Sequence, residues 1–111
     1  MSTPGHFRSQ ARRSLSLPAK IAARGSDLPL EARLVDVGLE GAALELTAPV
    51  EAGDALKLLV ELPGLWDPLA VESVVAWTLP ASNGQKARAG VRFEAPNGRT
   101  LRLLAELIAK S

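Results

Sequence analysis

Between Leu15 and Phe93 the chain enters apolar–polar alternation six times, and each run ends in a turn signal. A period of two buries one face of a strand and solvates the other, so each run predicts a half-buried strand. In the first, Leu15, Leu17, Ala19, Ile21 and Ala23 share a face opposite Ser16, Lys20 and Arg24. Pro18 has no amide to pair, which predicts an edge or a strand start there. After a turn at Gly25-Ser26-Asp27, Leu30, Ala32 and Leu34 lead a second strand to about Val37. Gly38-Leu39-Glu40-Gly41 supplies two glycines for a tight reversal. Ala42, Leu44 and Leu46 form the third inward set, and Leu56, Leu58, Val60 and Leu62 the fourth, closed by Pro63-Gly64. The fifth set is Leu69, Val71, Ser73, Val75, Trp77 and Leu79, which puts Trp77 in the core. A turn-rich connector precedes the sixth, with Ala87, Ala89, Val91 and Phe93 inside and Lys86, Arg88, Arg92 and Glu94 outside.

Beyond Phe93 the period changes. Leu101, Leu104, Ala105 and Ile108 fall at helical spacing and predict a C-terminal helix with one apolar stripe. Asn97 or Thr100 is placed to cap its start, and Lys110 suits its carbonyl end. Short strands with short turns, then a helix needing a surface, predict a mainly β fold. The arrangement expected is a six-stranded antiparallel β-barrel with a C-terminal α-helix. Residues 1–14 show no apolar period and read as a flexible basic arm, and residues 15–111 as the folded domain.

Composition narrows the function. A chain of 111 residues fits one domain and has no room for a separate catalytic one. Aromatics are 4 % of a chain that is 47 % hydrophobic, so the core must be aliphatic. The absence of Cys excludes disulfides, thiolate metal sites and cysteine nucleophiles, and the single histidine, His6, leaves a histidine-based triad or metal site almost nothing to use. No enzymatic activity and no metal are therefore expected. Among the first 26 residues stand five cations and no acid, leaving eight cations against twelve acids in the rest. That asymmetry predicts an anion-seeking N-terminus on a mildly acidic body, whereas a general nucleic-acid binder would be more basic overall. No membrane span or secretory leader is evident, so a cytoplasmic protein is expected.

Two constellations carry the chemistry. Arg8-Ser-Gln-Ala-Arg12, with Arg13 adjacent, offers planar guanidinium forks that match phosphate oxygens and stack on purine faces. Asp36-Val-Gly38-Leu-Glu-Gly41 puts a carboxylate at a strand end, able to accept from a guanine Watson–Crick edge, beside glycines that let backbone approach a ligand. Taken alone, the second reads first as a hairpin in which Asp36 caps backbone amides. Trp66, in Pro63-Gly-Leu-Trp66-Asp-Pro68, reads as a loop anchor packed on the barrel, with a surface contact as the alternative.

In their order these motifs resemble a PilZ domain, the bacterial receptor module for cyclic di-GMP. The family's RxxxR reads Arg8 to Arg12 here, and its [D/N]xSxxG reads Asp36 to Gly41. Its late Val-x-Trp and Gly-x-x-Phe strands correspond to Val75-Ala-Trp77 and Gly90-Val-Arg-Phe93, and the C-terminal helix follows. The resemblance implies that Arg8 and Arg12 bind phosphates and guanine edges, with Arg13 as a third cation. It implies that Asp36 accepts from a guanine and that Gly41 keeps the turn tight. Gly38 stands where the family has Ser, so one ligand-donating hydroxyl is missing. The implied function is a cyclic di-GMP receptor whose arm orders on binding and signals to an effector protein. The alternative is a degenerate member acting as a protein adaptor without nucleotide.

Overall fold

The architecture is that of a computed structural model, which describes residues 12–109 except positions 24 and 27. His6, Arg8, Arg24 and Lys110 thus lie outside the described residues, as does the arm up to residue 11. Six strands, β1 (Arg12–Ala23), β2 (Leu30–Gly38), β3 (Gly41–Leu46), β4 (Ala55–Val60), β5 (Leu69–Leu79) and β6 (Ala87–Phe93), precede helix α1 (Gly98–Ala109). The strands close into an antiparallel barrel in the order β1-β2-β3-β6-β5-β4, with β4 returning to β1. The mainly β, six-stranded barrel with a C-terminal helix is therefore as the alternation predicts.

Residues paired across two strands share a face, so the register sorts inside from outside. Leu17 pairs with Leu34, Leu34 with Leu44, and Leu44 with Ala89, a ring of apolar side chains around the interior. Leu34, Leu44, Leu58, Val37, Val75 and Leu104 are all but fully buried, and Phe93 is the one aromatic member of this core among the described residues. Ser73 also points inward, where its hydroxyl donates to the Val71 carbonyl at 3.2 Å. That internal bond offsets the cost of burying a hydroxyl. On the outside, Lys20–Glu31, Lys57–Glu72 and Glu45–Arg88 are direct cross-strand partners, with N···O distances of 3.9, 3.8 and 3.4 Å. As exposed pairs they favour the register by about 0.2–1 kcal/mol each at most.

Pro18 lies where its missing amide does no harm. Its carbonyl accepts from the Glu61 amide at 3.3 Å, so its backbone faces β4 one residue beyond the end of the β1–β4 ladder at Ala19 and Val60. β1 begins at Arg12, three residues before the apolar alternation does, because β2 runs to Gly38 and gives Arg12, Arg13 and Ser14 partners. Residues 12–14, expected in the arm, thus belong to β1.

The helix sits at the mouth formed by the start of β1 and the end of β2. Asn97 is its cap, accepting the Thr100 amide on Oδ1 at 2.8 Å. Its buried stripe is phased differently from the expectation. Thr100 and Leu104 are buried and Leu103, Leu107 and Ile108 pack against the core, whereas Leu101 and Ala105 face solvent. Both sets obey helical spacing, and contact with the mouth selects between them.

Gly41 owes its identity to packing. A Cβ built there would lie 2.3 Å from the Val91 carbonyl oxygen of β6. The sequence reading gave it the tightness of the turn; the closeness of β3 to β6 is the stronger constraint. Gly41→Ala should cost about 1–3 kcal/mol through the forced shift of two central strands. Gly98→Ala, in the first helical turn with open space around it, should be neutral or stabilising by a few tenths of a kcal/mol. Urea denaturation of the two variants checks both signs.

Candidate ligand-binding face

Three β-bulges shape the outer surface. In β1, Leu15 and Ser16 lie between the pairs Ser14–Asp36 and Leu17–Leu34, opposite Val35 alone. In β2, Val35 is the extra residue between Leu34–Leu44 and Asp36–Ala43. In β5, Ala76 is extra between Val75–Val91 and Trp77–Gly90. An extra residue reverses the alternation beyond it. Without the bulge at Val35, Asp36 would follow Leu30, Ala32 and Leu34 into the core. With it, Val37 turns inward and Asp36 outward.

Trp77 undergoes the same reversal, and this corrects its expected place in the core. It is 44 % exposed, and Leu79 after it 56 %. The indole lies over Gly90, where a Cβ would fall 2.2 Å from the indole Nε1. A glycine at an outward position of an otherwise clean strand was the available signal, since such a gap calls for a covering aromatic.

The register thereby sets Ser14, Asp36, Ala43, Gly90 and Trp77 side by side across β1, β2, β3, β6 and β5. From Asp36 to Trp77 is three inter-strand steps, about 14 Å along the surface. Arg12 joins this row. It pairs with Gly38, on the same face as Asp36, and its Nη2 stands 3.2 Å from Asp36 Oδ1. The side chains are 45 % and 34 % exposed, so screening leaves the pair worth about 1 kcal/mol or less. Asp36 Oδ1 is shielded from solvent yet accepts no hydrogen bond among the described residues. The two observations agree if the Arg12 contact is one of charge proximity, with the N–H bonds aimed elsewhere. The face thus presents a cation, an acceptor with unused capacity and an exposed aromatic over a floor of Ala43 and Gly90. Together these suit a planar, anionic ligand with ring N–H donors.

The remaining predicted residues separate. Gly38 and Gly41 flank the hairpin beside Asp36, both buried. Arg13, next to Arg12 in a strand, points to the opposite face. It shares that face with Val37, and its Nη1 donates to the Leu107 carbonyl of α1 at 2.8 Å. The structure therefore gives Arg13 a tie to the helix end, where a cation is favoured by the helix dipole. A cleft of about 300 Å³ opens beside this tie, lined by Leu15, Leu17, Leu62, Leu103 and Leu107. It lies away from the Arg12–Asp36 row, which is an open face. Trp66 is 101 % exposed, so it is a surface residue and not a loop anchor. Among the described residues no cluster of His, Cys, Asp and Glu could hold a metal ion, and no helix is long and apolar enough to cross a membrane.

The PilZ domain family model matches residues 6–110. Among solved structures, the chain is similar to the Bacillus subtilis inhibitor of motility MotI/DgrA, with a TM-score of 0.74 and 16 % identity over 91 % of this chain and 48 % of that one. It is similar to Escherichia coli YcgR in complex with c-di-GMP, with a TM-score of 0.67 and 20 % identity over 91 % of this chain and 44 % of that one. It also resembles the PilZ domain of CeSA from a cellulose-synthesising bacterium, with a TM-score of 0.64 and 17 % identity over 87 % and 93 % of the two chains. The chain thus spans about half the length of MotI/DgrA and YcgR. No curated protein matches it significantly.

The two adjacent arginines should separate by experiment. Arg13→Ala should cost about 1 kcal/mol and lower amide-exchange protection in the last turns of α1 while leaving the strands protected. Arg12→Ala should cost less than about 1 kcal/mol and leave the helix amides unchanged.

Proposed function

This chain belongs to the PilZ domain family, and we propose that it is a receptor for cyclic di-GMP that works by binding, without catalysis, on the face built by Arg12, Asp36 and Trp77. The observation that carries the reading is the meeting of Arg12 and Asp36 at 3.2 Å on the outer face, because it unites two motifs 24 positions apart in one site. The complex of YcgR with c-di-GMP, on a barrel of the same fold, supports the choice of ligand.

Each role follows from the side chain's chemistry. Arg12, with Arg8 from the arm, binds the phosphates through charge-assisted hydrogen bonds. Asp36 accepts from a guanine edge on the side of its carboxylate that reaches solvent. Trp77 offers its exposed face for stacking on a base. Arg13 contributes through the helix tie. Gly38 cannot give the hydroxyl of the family's Ser. A neutral hydrogen bond is worth about 0.5–1.5 kcal/mol, so its loss weakens binding by roughly 2- to 12-fold and does not abolish it.

Up to residue 11 the chain carries one cation, Arg8, and no acid, which favours its ordering against an anion. Ligand capture by Arg8 and Arg12 pulls on the strand start that also carries Arg13, so the event reaches the helix. An effector protein then reads the altered surface. The second reading, an adaptor without nucleotide, is favoured by Gly38 alone.

Calorimetry with cyclic di-GMP should give a 1 kcal/mol or larger loss of binding for Arg12→Ala, about tenfold or more in affinity, with the melting temperature nearly unchanged. No heat with the wild-type chain at high micromolar ligand would overturn the nucleotide reading and favour the adaptor. In a Trp66→Phe background the remaining indole is Trp77, and its emission should be quenched by saturating ligand. Gly38→Ser should bind as tightly as wild type or more so, since Gly38 is extended strand backbone.

A further inference from the structure

Outside the Arg12–Asp36 face, the least expected feature is the β4–β5 loop. Trp66 is 101 % exposed and Leu65 beside it 37 %. A fully solvated indole is costly to leave in water and is the side chain most enriched where proteins bind one another. Beside it lies the cleft of about 300 Å³, walled by Leu15 and Leu17 of β1, by Leu62, Pro63 and Leu65 of the loop, and by Leu103 and Leu107 of α1. It exists because the β1–β4 ladder stops at Ala19 and Val60, so the strands part before the mouth.

We propose that the occupant of this cleft is Trp66 of a second copy of the same chain, in a two-fold symmetric dimer. Four observations on the molecule support this choice. The cleft is walled mainly by leucines, with Arg13 and Glu106 also lining it, and is large enough to admit an indole. Plug and socket sit at one mouth of the barrel, with Pro63 and Leu65 common to the loop and the cleft wall. A two-fold axis through Leu65 therefore fills both sockets at once and closes the assembly, whereas a plug and socket on opposite ends would build filaments. The socket is lined by Arg13 and by Glu106, so the Asp67 that follows the plug is complementary to it only in an approach that meets Arg13. The area sets the strength. Two indoles bury roughly 150–250 Å² each, and with their sockets the total comes to about 600–1,000 Å², at or below the low end of specific interfaces. The dimer is accordingly weak and concentration-dependent. It needs neither Asp36 nor Trp77, so it leaves the proposed ligand face open.

Sedimentation velocity of the full chain, from about 5 to about 500 μM, should show monomer passing to dimer without larger species. Trp66→Ala should weaken the dimer at least tenfold with the melting temperature unchanged. Leu103→Glu places a charge in the socket and should weaken it as much, with circular dichroism confirming the fold. Mixing the two variants is the specific test. Trp66→Ala keeps a socket and Leu103→Glu keeps a plug, so the mixture should form heterodimer that neither variant forms alone. A monomer throughout the range overturns the proposal. So does a dimer that survives Trp66→Ala, which would place the interface elsewhere. Blue-shifted Trp66 emission in a Trp77→Phe monomer at all dilutions also overturns it, because the indole would then occupy its own cleft.

Discussion

A closed six-stranded barrel has an interior with room for apolar side chains and no edge at which an error of register can be hidden. Every residue inserted into a strand must therefore be absorbed as a bulge, and a single-residue bulge within a strand reverses the faces beyond it. The site depends on two such reversals. Val35 in β2 sends Asp36 out and Val37 in, and Ala76 in β5 sends Trp77 out after Val75. Remove either and a carboxylate or an indole would be driven into an aliphatic interior that offers a carboxylate no partner. A buried unpaired charge costs far more than the local disruption of a ladder. The bulges are the cheaper solution, and they bring an acceptor and an aromatic to one lateral row.

The same logic separates Arg12 from Arg13. Neighbours in a strand point to opposite faces, so one guanidinium reaches the outer surface and Asp36, and the other reaches the mouth and the Leu107 carbonyl. Two adjacent cations that read alike in a basic segment thus act in different places. A strand is stiff over two residues, which means a displacement of Arg12 is felt at Arg13. The start of β1 is also the part of the strand without β4 beside it, since that ladder begins at Ala19. This is the stretch of β1 with the fewest backbone ties to resist movement, and it joins the outer face to the helix.

The barrel, its strand order of inner residues and the capped helix were legible because period-two and helical patterns extend over many residues and each apolar position repeats the same message. The glycine and turn signals added the boundaries. What the alternation could not reveal were the single-residue insertions, because a bulge leaves no mark of its own in the pattern. Trp77 reads as core by parity, and only its partner Gly90, a missing side chain in the adjacent strand, hints otherwise. The helix stripe was ambiguous for another reason: Leu101, Leu103, Leu104, Leu107 and Ile108 contain two overlapping apolar faces, and packing against β1 and β2 selects one. Trp66 escapes the pattern because a loop tryptophan carries no periodicity at all. The motifs, by contrast, survived the bulges, since Arg12 and Asp36 meet across a register that the spacing within each motif does not specify.

The site can be built this way only because the barrel does not rely on it. Among the described residues Asp36 Oδ1 accepts no hydrogen bond, and Arg12 faces it through a partly exposed, weak pair. The unmet acceptor is tolerable at a cost of order 1 kcal/mol, because the carboxylate still reaches solvent on its other side. An interior with seventeen buried apolar side chains among the described residues carries that cost easily. A ligand that donates to Asp36 and accepts from Arg12 displaces little water and breaks no hydrogen bond between them, so most of what it forms counts toward affinity. Had Arg12 been fully engaged inside the barrel, the same ligand would have had to dismantle a buried pair first.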